Sequence, residues 1–287
     1  MSEMRRSRGT TFRGLIAAID VNDPDRPAAA TRFHRELLHG LTSRATELGF
    51  KIEQFVVGRA GLTVQRLDSI LQSRGIHGML LLPEWGAPDW SELDWTRYAG
   101  VYADYGIERP ALHCVCCDHY RSMISLLGRL MERGYRRPGL ILQHHQDLRI
   151  QHRFSSAFHC FQQNHPEIET VPALIAPEIE RAAFVKWFKA HKPDVVLGHY
   201  TEPIAWMESC GARIPKTGYV CLNMIYKTRP CASIDQQPRE IGARSVELLV
   251  AQVQRNERGL PQWPTTTLIP AHWVEGPTVR PPRDAAV

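Results

Sequence analysis

With 287 residues, 43% of them hydrophobic and 23% charged, the chain can bury a substantial core as one large domain or two modest ones. A formal net charge of +5 is too mild to mark a phosphate-coating protein. No apolar run approaches the roughly 18 residues of a membrane span and there is no secretory h-region, while seven cysteines are an odd number for a disulfide framework; a cytoplasmic, reduced chain without membrane contact is expected.

The chain opens on "MSEMRRSRGTTFRG", where Arg5, Arg6, Arg8 and Arg13 face one acid, Glu3. Residues 1–13 are too few for a domain and read as a basic linker stub. "GLIAAI" (14–19), bounded by Gly14 and the polar "DVNDPDRP", predicts a buried strand. In "ATRFHRELLHGLTSRATELG", Phe33, Leu37, Leu41, Ala45 and Leu48 share one helical face, and Gly49 supplies the stop. "FKIEQFVV" (50–57) predicts a strand. Val64, Leu67, Ile70 and Leu71 mark a helix ending near Gly75, and "GMLLLP" (78–83) marks a buried strand.

After "ALHCVCC" the cadence resumes. "YRSMISLLGRLMERG" places Met123, Leu127, Leu130 and Met131 on one face. "PGLILQ", "TVPALI", "PDVVLG" and "GYVCL" read as strands; "RFSSAFHCFQQNHP", "ERAAFVKWFKAH" and "EPIAWMES" read as helices between them. A last long helix, "PREIGARSVELLVAQVQRN", buries Ile241, Val246, Leu249, Val250 and Val253. Helices alternating with buried strands predict an α/β fold of two doubly wound parallel-sheet subdomains. The expected division is 14–116 plus 237–262, then 117–236 plus 263–280, with 281–287 as a tail. Such sheets bind ligands beyond the carboxyl ends of their strands, and two in succession imply a ligand cleft between them. The loops of interest are "DVNDPDRP", "PEWGAPDW", "QHHQDLRIQHR", "GHYTEP" and "LNMIYKTRP".

Three stretches carry a resemblance: "VCCDHYRSMISLLGRLMERGYRRPGLI", "RIQHRFSSAF" and "SIDQQPREIGARSVELL". They resemble, in turn, the acidic turn, helix and glycine exit, the Arg-x-x-Gly-Phe segment, and the "IDQP…IG…A…LL" crossover of the lactose-repressor (LacI/GalR) family. The resemblance covers roughly residues 12–280. It implies a periplasmic-binding-protein-like effector core that senses a small sugar or related metabolite and acts as a homodimer. The outer faces around Phe33–Leu48 and Leu67–Leu71 would form part of the dimer contact. It further implies that the stub carrying Arg5, Arg6 and Arg8 is the DNA-proximal end of a hinge, DNA being read only by a helix-turn-helix headpiece absent from this chain. Three departures fall on ligand-facing loops: Ala157 for the usual glycine, "HYTEP" for the usual "ND", and Asn223 for the usual acid. The usual effector is therefore not carried over.

A hydroxyl-rich ring is recognised by fork donors, acceptors and an aromatic platform. Asp20 and Asn22 supply these groups, or simply form the turn ahead of Pro24. Trp85 is placed to stack on a ring, or to pack in a lid with Trp90 and Trp95. Arg153 opens a helix where the resemblance puts a ligand-binding arginine; the plain reading is a surface arginine. His199, Tyr200 and Asn223 follow buried strands. Asp235 and Gln236 lie at the crossover, touching ligand or holding the hinge. "HCVCCDH" has C-x-C-C spacing with no second pair, and His144, His145 and His152 lie on a polar loop, so no metal is expected. No cofactor loop or catalytic motif is present, and no enzyme is expected. The alternative function is a stand-alone sugar-binding protein of a transport or sensing system.

Overall fold

The computed structural model describes residues 12–22, 24, 26, 28–83, 88–105 and 109–282. Trp85, Arg5, Arg6 and Arg8 lie outside the described residues. In chain order the elements are β1 (Gly14–Val21), α1 (Ala28–Glu47), β2 (Phe50–Val57), α2 (Val64–Ser73), β3 (Gly78–Leu81), β4 (Ala99–Ala103) and β5 (His113–Cys117). There follow α3 (His119–Glu132), β6 (Pro138–Gln143), α4 (His144–Arg149), α5 (Arg153–Asn164), β7 (Leu174–Ala176), α6 (Arg181–His191) and β8 (Val195–Gly198). The chain closes with α7 (Glu202–Ser209), β9 (Gly218–Cys221), β10 (Ala232–Asp235), α8 (Pro238–Gln254), β11 (Thr266–Ile269) and β12 (His272–Val274). No helix among the described residues is long and apolar enough to cross a membrane.

Two compact units result, 1–116 with 238–268 and 117–237 with 269–287. The first holds a sheet of order β2-β1-β3-β4-β5-β11, with β1 parallel to β2 from Gly14↔Phe50 to Val21↔Val57 and parallel to β3 at Ala17↔Met79. Ile16–Ile19 are buried because a central parallel strand is covered on both faces. The spacing read from α1 holds: Phe33, Leu37, Leu41 and Ala45 are all buried, and the face left outside carries Arg32, Arg35 and His39. α1 and α8 lie backbone against backbone. A Cβ on Gly40 would overlap the carbonyl of Arg239, and one on Gly242 would overlap that of Leu37. Trp90 and Trp95 belong to this unit's core, where the indole N–H of Trp95 donates to the Trp90 carbonyl at 2.8 Å.

The second unit repeats the plan with order β7-β6-β8-β9-β10-β12, and β12 runs antiparallel to β10 through Ser233↔Val274. Its helices bury two apolar layers, one including Leu127, Phe154 and Phe158, the other Phe184, Ile204 and Tyr219. In both sheets the order reverses beside the first strand, between β1 and β3 and between β6 and β8. Loops leaving the carboxyl ends at such a reversal diverge and open a crevice.

Two expectations are corrected. Residues 263–280 do not all join the second unit: 263–268 stay with the first. There the Thr265 carbonyl accepts from Cys114 N–H at 2.9 Å, and β11 covers the open side of β5. β12 does the same for β10, so the tail satisfies the unpaired backbone edge of each sheet in turn. The stretch after β6, read as a polar loop, begins as the helix α4.

Candidate functional site

In the first unit β1 ends at Asp20 and Val21 beside the sheet reversal. The Asp20 carboxylate is already engaged. Arg26 donates to both its oxygens, at 2.7 and 3.0 Å, and Val21 N–H donates at 2.8 Å. His34 Nδ1 lies 3.7 Å away. Burial raises the Asp20 pKa, but hydrogen bonds and charge from His34 and Arg26 outweigh it and hold the carboxyl well below the usual range. Asn22 is exposed, and its backbone N–H continues the ladder to Val57. Asp20 therefore serves first to anchor the turn.

The second unit is different: polar side chains converge beyond the carboxyl ends of its strands and several remain unsatisfied. β8 delivers His199 and Tyr200, β9 delivers Asn223, and β10 delivers Asp235 and Gln236. Asn223 caps the turn at Met224–Tyr226, its Oδ1 accepting from Ile225 N–H at 3.1 Å. Asp235 accepts from Gln237 N–H at 2.9 Å, and the Gln236 amide donates to the Leu222 carbonyl at 2.8 Å. These three therefore hold the backbone at the strand ends.

The rings form a chain. His119 meets Phe154 edge-on at 4.9 Å between centroids, Phe154 lies 5.8 Å from His199, His199 lies 5.8 Å from Tyr226, and Tyr226 lies 5.5 Å from Tyr200. Loss of hydration pushes the His119 pKa down to about 3, and the neighbouring His199 and Arg153 add to this against a hydrogen bond to Gln236. Burial likewise pushes His199 down to about 4, helped by His145 and opposed by the Asp147 carboxylate. Both imidazoles are neutral at physiological pH.

Asp147 is a functional candidate that the sequence reading missed. It is 1% exposed on α4. Its Oδ2 accepts from His152 Nδ1 and from the Ser155 hydroxyl, both at 2.8 Å. Its Oδ1 is buried with no hydrogen-bond partner, as are Gln146 Oε1 and His199 Nδ1. Native interiors leave few such atoms unsatisfied, so three on neighbouring loops beyond β6 and β8 make this edge the candidate site. Gln151 and His152 both take left-handed backbone, at φ 55° and 57°. Two successive non-glycine residues in that region signal a conformation imposed by its surroundings. The signal available in the sequence was a buried acid four residues after Gln143, legible only once α4 is known to be helical. Asp147, His152 and Ser155 are not a nucleophilic relay, because the serine hydroxyl donates to the carboxylate and not to the imidazole.

Arg153 begins α5, half-buried, and its charge reaches His119. Ala157 follows it by four residues, whereas the Arg-x-x-Gly pattern has three. The residue three before Ala157 is Phe154, fully buried between the two histidines.

A pocket of about 280 Å³ opens at the β6/β8 reversal, within the second unit alone. His199 and Tyr200 line it with Gln143, Gln146 and Glu202; Ile141, Ile179, Pro203 and Trp206 give its apolar wall. Two parallel sheets of this order, with polar groups gathered at the carboxyl edge, are the plan of a ligand-binding protein. A family model of the periplasmic binding protein-like domain matches residues 127–279. The chain belongs to that family.

Among solved structures, this periplasmic-binding-protein-like chain is similar to a transcriptional regulator CelR–cellobiose complex, at 18% identity and TM-score 0.68, covering 94% of this chain and 86% of that one. It is similar to the LacI family regulator CcpA from Weissella paramesenteroides with bound glucose, at 13% identity and TM-score 0.65, covering 92% and 98%. It is also similar to the lac repressor dimer bound to operator and an anti-inducer, at 15% identity and TM-score 0.65, covering 93% and 94%. At these identities the likeness is one of fold. No curated protein sequence matches the chain.

All seven cysteines are free thiols. Cys116 is buried, and Cys114 on the same face of β5, together with burial, pushes its pKa up, so it stays protonated. Among the described residues no three His, Cys, Asp or Glu side chains gather as a metal site would require.

Proposed function

We propose that this chain is the effector-binding core of a LacI-type transcriptional regulator. It binds a small sugar-like ligand, and occupancy shifts the geometry of a homodimer that controls DNA binding. The observation that carries this reading is the group of buried, unpartnered polar atoms on Asp147, Gln146 and His199 beyond β6 and β8. These atoms are buried, so a ligand bearing hydroxyls completes them only with a shift of the loops that cover them. The aromatic rings of Tyr200 and Tyr226, 5.5 Å apart between centroids, lie beside them. The solved relatives of this fold include a cellobiose complex, a glucose complex and a repressor dimer on its operator. The chain binds and does not catalyse: ligand acts by favouring one of two dimer states.

The test begins with a thermal-shift library of mono- and disaccharides against the 287-residue chain, followed by calorimetric titration of the compound that raises Tm most. Arg153→Ala then tests whether the ligand reaches the start of α5: a guanidinium fork in a desolvated site makes charge-assisted hydrogen bonds of roughly 1.5–3 kcal/mol each, so an Arg153 that touches the ligand should cost about two orders of magnitude in affinity when truncated. Its Tm should stay near that of the parent, because a half-buried residue at a helix start is not core. Unchanged affinity removes Arg153 from the site. A ligand that binds but leaves the operator affinity of a headpiece-fused dimer unchanged would point instead to a stand-alone binding protein.

A further inference from the structure

Three polar side chains on the lining of the pocket at the β6/β8 reversal are hydrogen-bonded to one another. The Gln146 amide donates to the Tyr200 hydroxyl at 3.0 Å, and that hydroxyl donates to Gln143 Oε1 at 3.2 Å. The three side chains thus form one run of hydrogen bonds through the Tyr200 hydroxyl. Gln146 Oε1 is buried beside it. Glu202 stands exposed at the rim and has no ion-pair partner among the described residues. Its charge is felt by the Tyr200 phenol, whose pKa is raised by burial first and by Glu202 next. No lysine or arginine lines the pocket. The one formal charge on the lining is the Glu202 carboxylate. A phosphate or carboxylate entering here would meet that carboxylate with no lysine or arginine on the lining to offset it.

The apolar side sets size and shape. Ile141, Ile179 and Pro203 with the indole of Trp206 form a wall against which a ring can lie. At about 280 Å³ the space is near the lower end of the ~300–1,000 Å³ usual for small-molecule sites and has room for a single ring. Trp and Tyr faces beside a free carboxylate also attract ammonium groups.

We infer that this pocket selects a single-ring amino sugar: a ring face against Trp206 and the apolar wall, hydroxyls among the Gln143, Gln146 and Tyr200 side chains, a protonated amine for Glu202, and no acidic or phosphorylated substituent. The inference rests on the effector-core reading above and narrows it to one chemical class and to a pocket contained in the second unit.

Calorimetric titration of the full chain with matched sugars tests it. Glucosamine, galactosamine and mannosamine would be compared with glucose, galactose and mannose, and with glucose 6-phosphate and glucuronate. At least one amino sugar is expected to bind about tenfold tighter than its neutral parent, the share of one charge-assisted contact, and the phosphate and uronate not at all. Glu202→Gln should cost the amino sugar that tenfold. Glu202→Lys should reverse the preference, admitting glucuronate and rejecting the amine, an exchange that a merely structural Glu202 would not produce. Trp206→Phe should retain binding and Trp206→Ala lose it, with Tm of the free variants reporting on the fold. Equal affinity for amine and parent, tightest binding of the phosphate or uronate, or no binding by any of these sugars at millimolar concentration overturns the inference. A different ligand that depends on Arg153 and ignores Glu202 and Trp206 overturns it too, yet leaves the regulator reading standing. A chain that binds an amino sugar through Glu202 but never alters operator affinity does the opposite.

Discussion

Replacing Gly242 with leucine is expected to unfold the first unit at ordinary temperature. At this residue α8 touches α1 without an intervening side chain. Even a Cβ would strike the Leu37 carbonyl and the Leu41 amide, and on the other helix a Cβ at Gly40 would strike the Arg239 backbone. Backbone cannot yield as a flexible side chain can, so the helices must separate. Leu37, Leu41, Ile241, Val246 and Leu249 are all fully buried, and separation exposes several of them. Each such side chain is worth about 1.5–3 kcal/mol, and a whole domain is stable by only ~5–15 kcal/mol. Urea unfolding followed by circular dichroism should show the loss, with Gly242→Ala intermediate. Gly128 on α3 is the control. A Cβ there meets nothing within 4 Å, so Gly128→Ala should be neutral or stabilise by up to about 1 kcal/mol through helix propensity. A Gly242→Leu protein that unfolds at the parental urea concentration would mean that the two helices do not meet at this point.

Acidification is expected to destabilise the second unit well before its carboxylates titrate. His119 and His199 titrate near 3 and near 4 in the folded protein, against an ordinary 6.5. Both folded values are depressed, so between pH 6.5 and these values the unfolded chain binds protons that the folded chain refuses. Stability is then full above pH 6.5 and falls as the pH drops, by about 1.4 kcal/mol per pH unit for each imidazole. His199 stops contributing near pH 4 and His119 near pH 3. The loss between neutrality and about pH 4 is on the order of 6 kcal/mol, a large share of a domain's stability. The charged neighbours Arg149 and Arg153 deepen the effect at His119, while the Asp147 carboxylate softens it at His199. Urea midpoints measured across this range should decline, and His119→Leu should flatten the decline by about one proton's share. A parental midpoint that stays constant from about pH 6.5 to about pH 4.5 would show that neither ring is held neutral. In the first unit the depressed Asp20 carboxyl works at lower pH: its contribution is present above the ordinary carboxylate range and is lost as the pH falls below it.

The same residues show how far the sequence could be read. α1 was legible because a helix packed on a sheet must present one apolar face, and Phe33, Leu37, Leu41 and Ala45 recur at that spacing. β1, β6 and β8 were legible because strands buried on both faces are short continuous apolar runs. α4 was not, because "HHQDLR" carries no apolar periodicity and is held instead by the contacts of Asp147 with His152 and Ser155. The division of the tail was not legible either, since β11 and β12 are short edge strands defined by the sheets they complete.

The site follows the same rule. That His199, Tyr200, Asn223, Asp235 and Gln236 follow strands, and so gather at one carboxyl edge, is fixed by the order of apolar runs along the chain. Which of them remain open to a ligand depends on partners distant in sequence. Asn223 and Asp235 are engaged by the backbone that follows them, and Asp20 is held by Arg26. Asp147, Gln146 and His199 keep an unfilled atom each. Periodicity follows from backbone geometry, which is local, so sequence alone determined two α/β units and the carboxyl edge that carries the candidate site. Burial and hydrogen-bond satisfaction are properties of atoms brought together from separate strands, so only the tertiary structure decided that α1 meets α8 through two glycines and that a pocket opens beside Trp206.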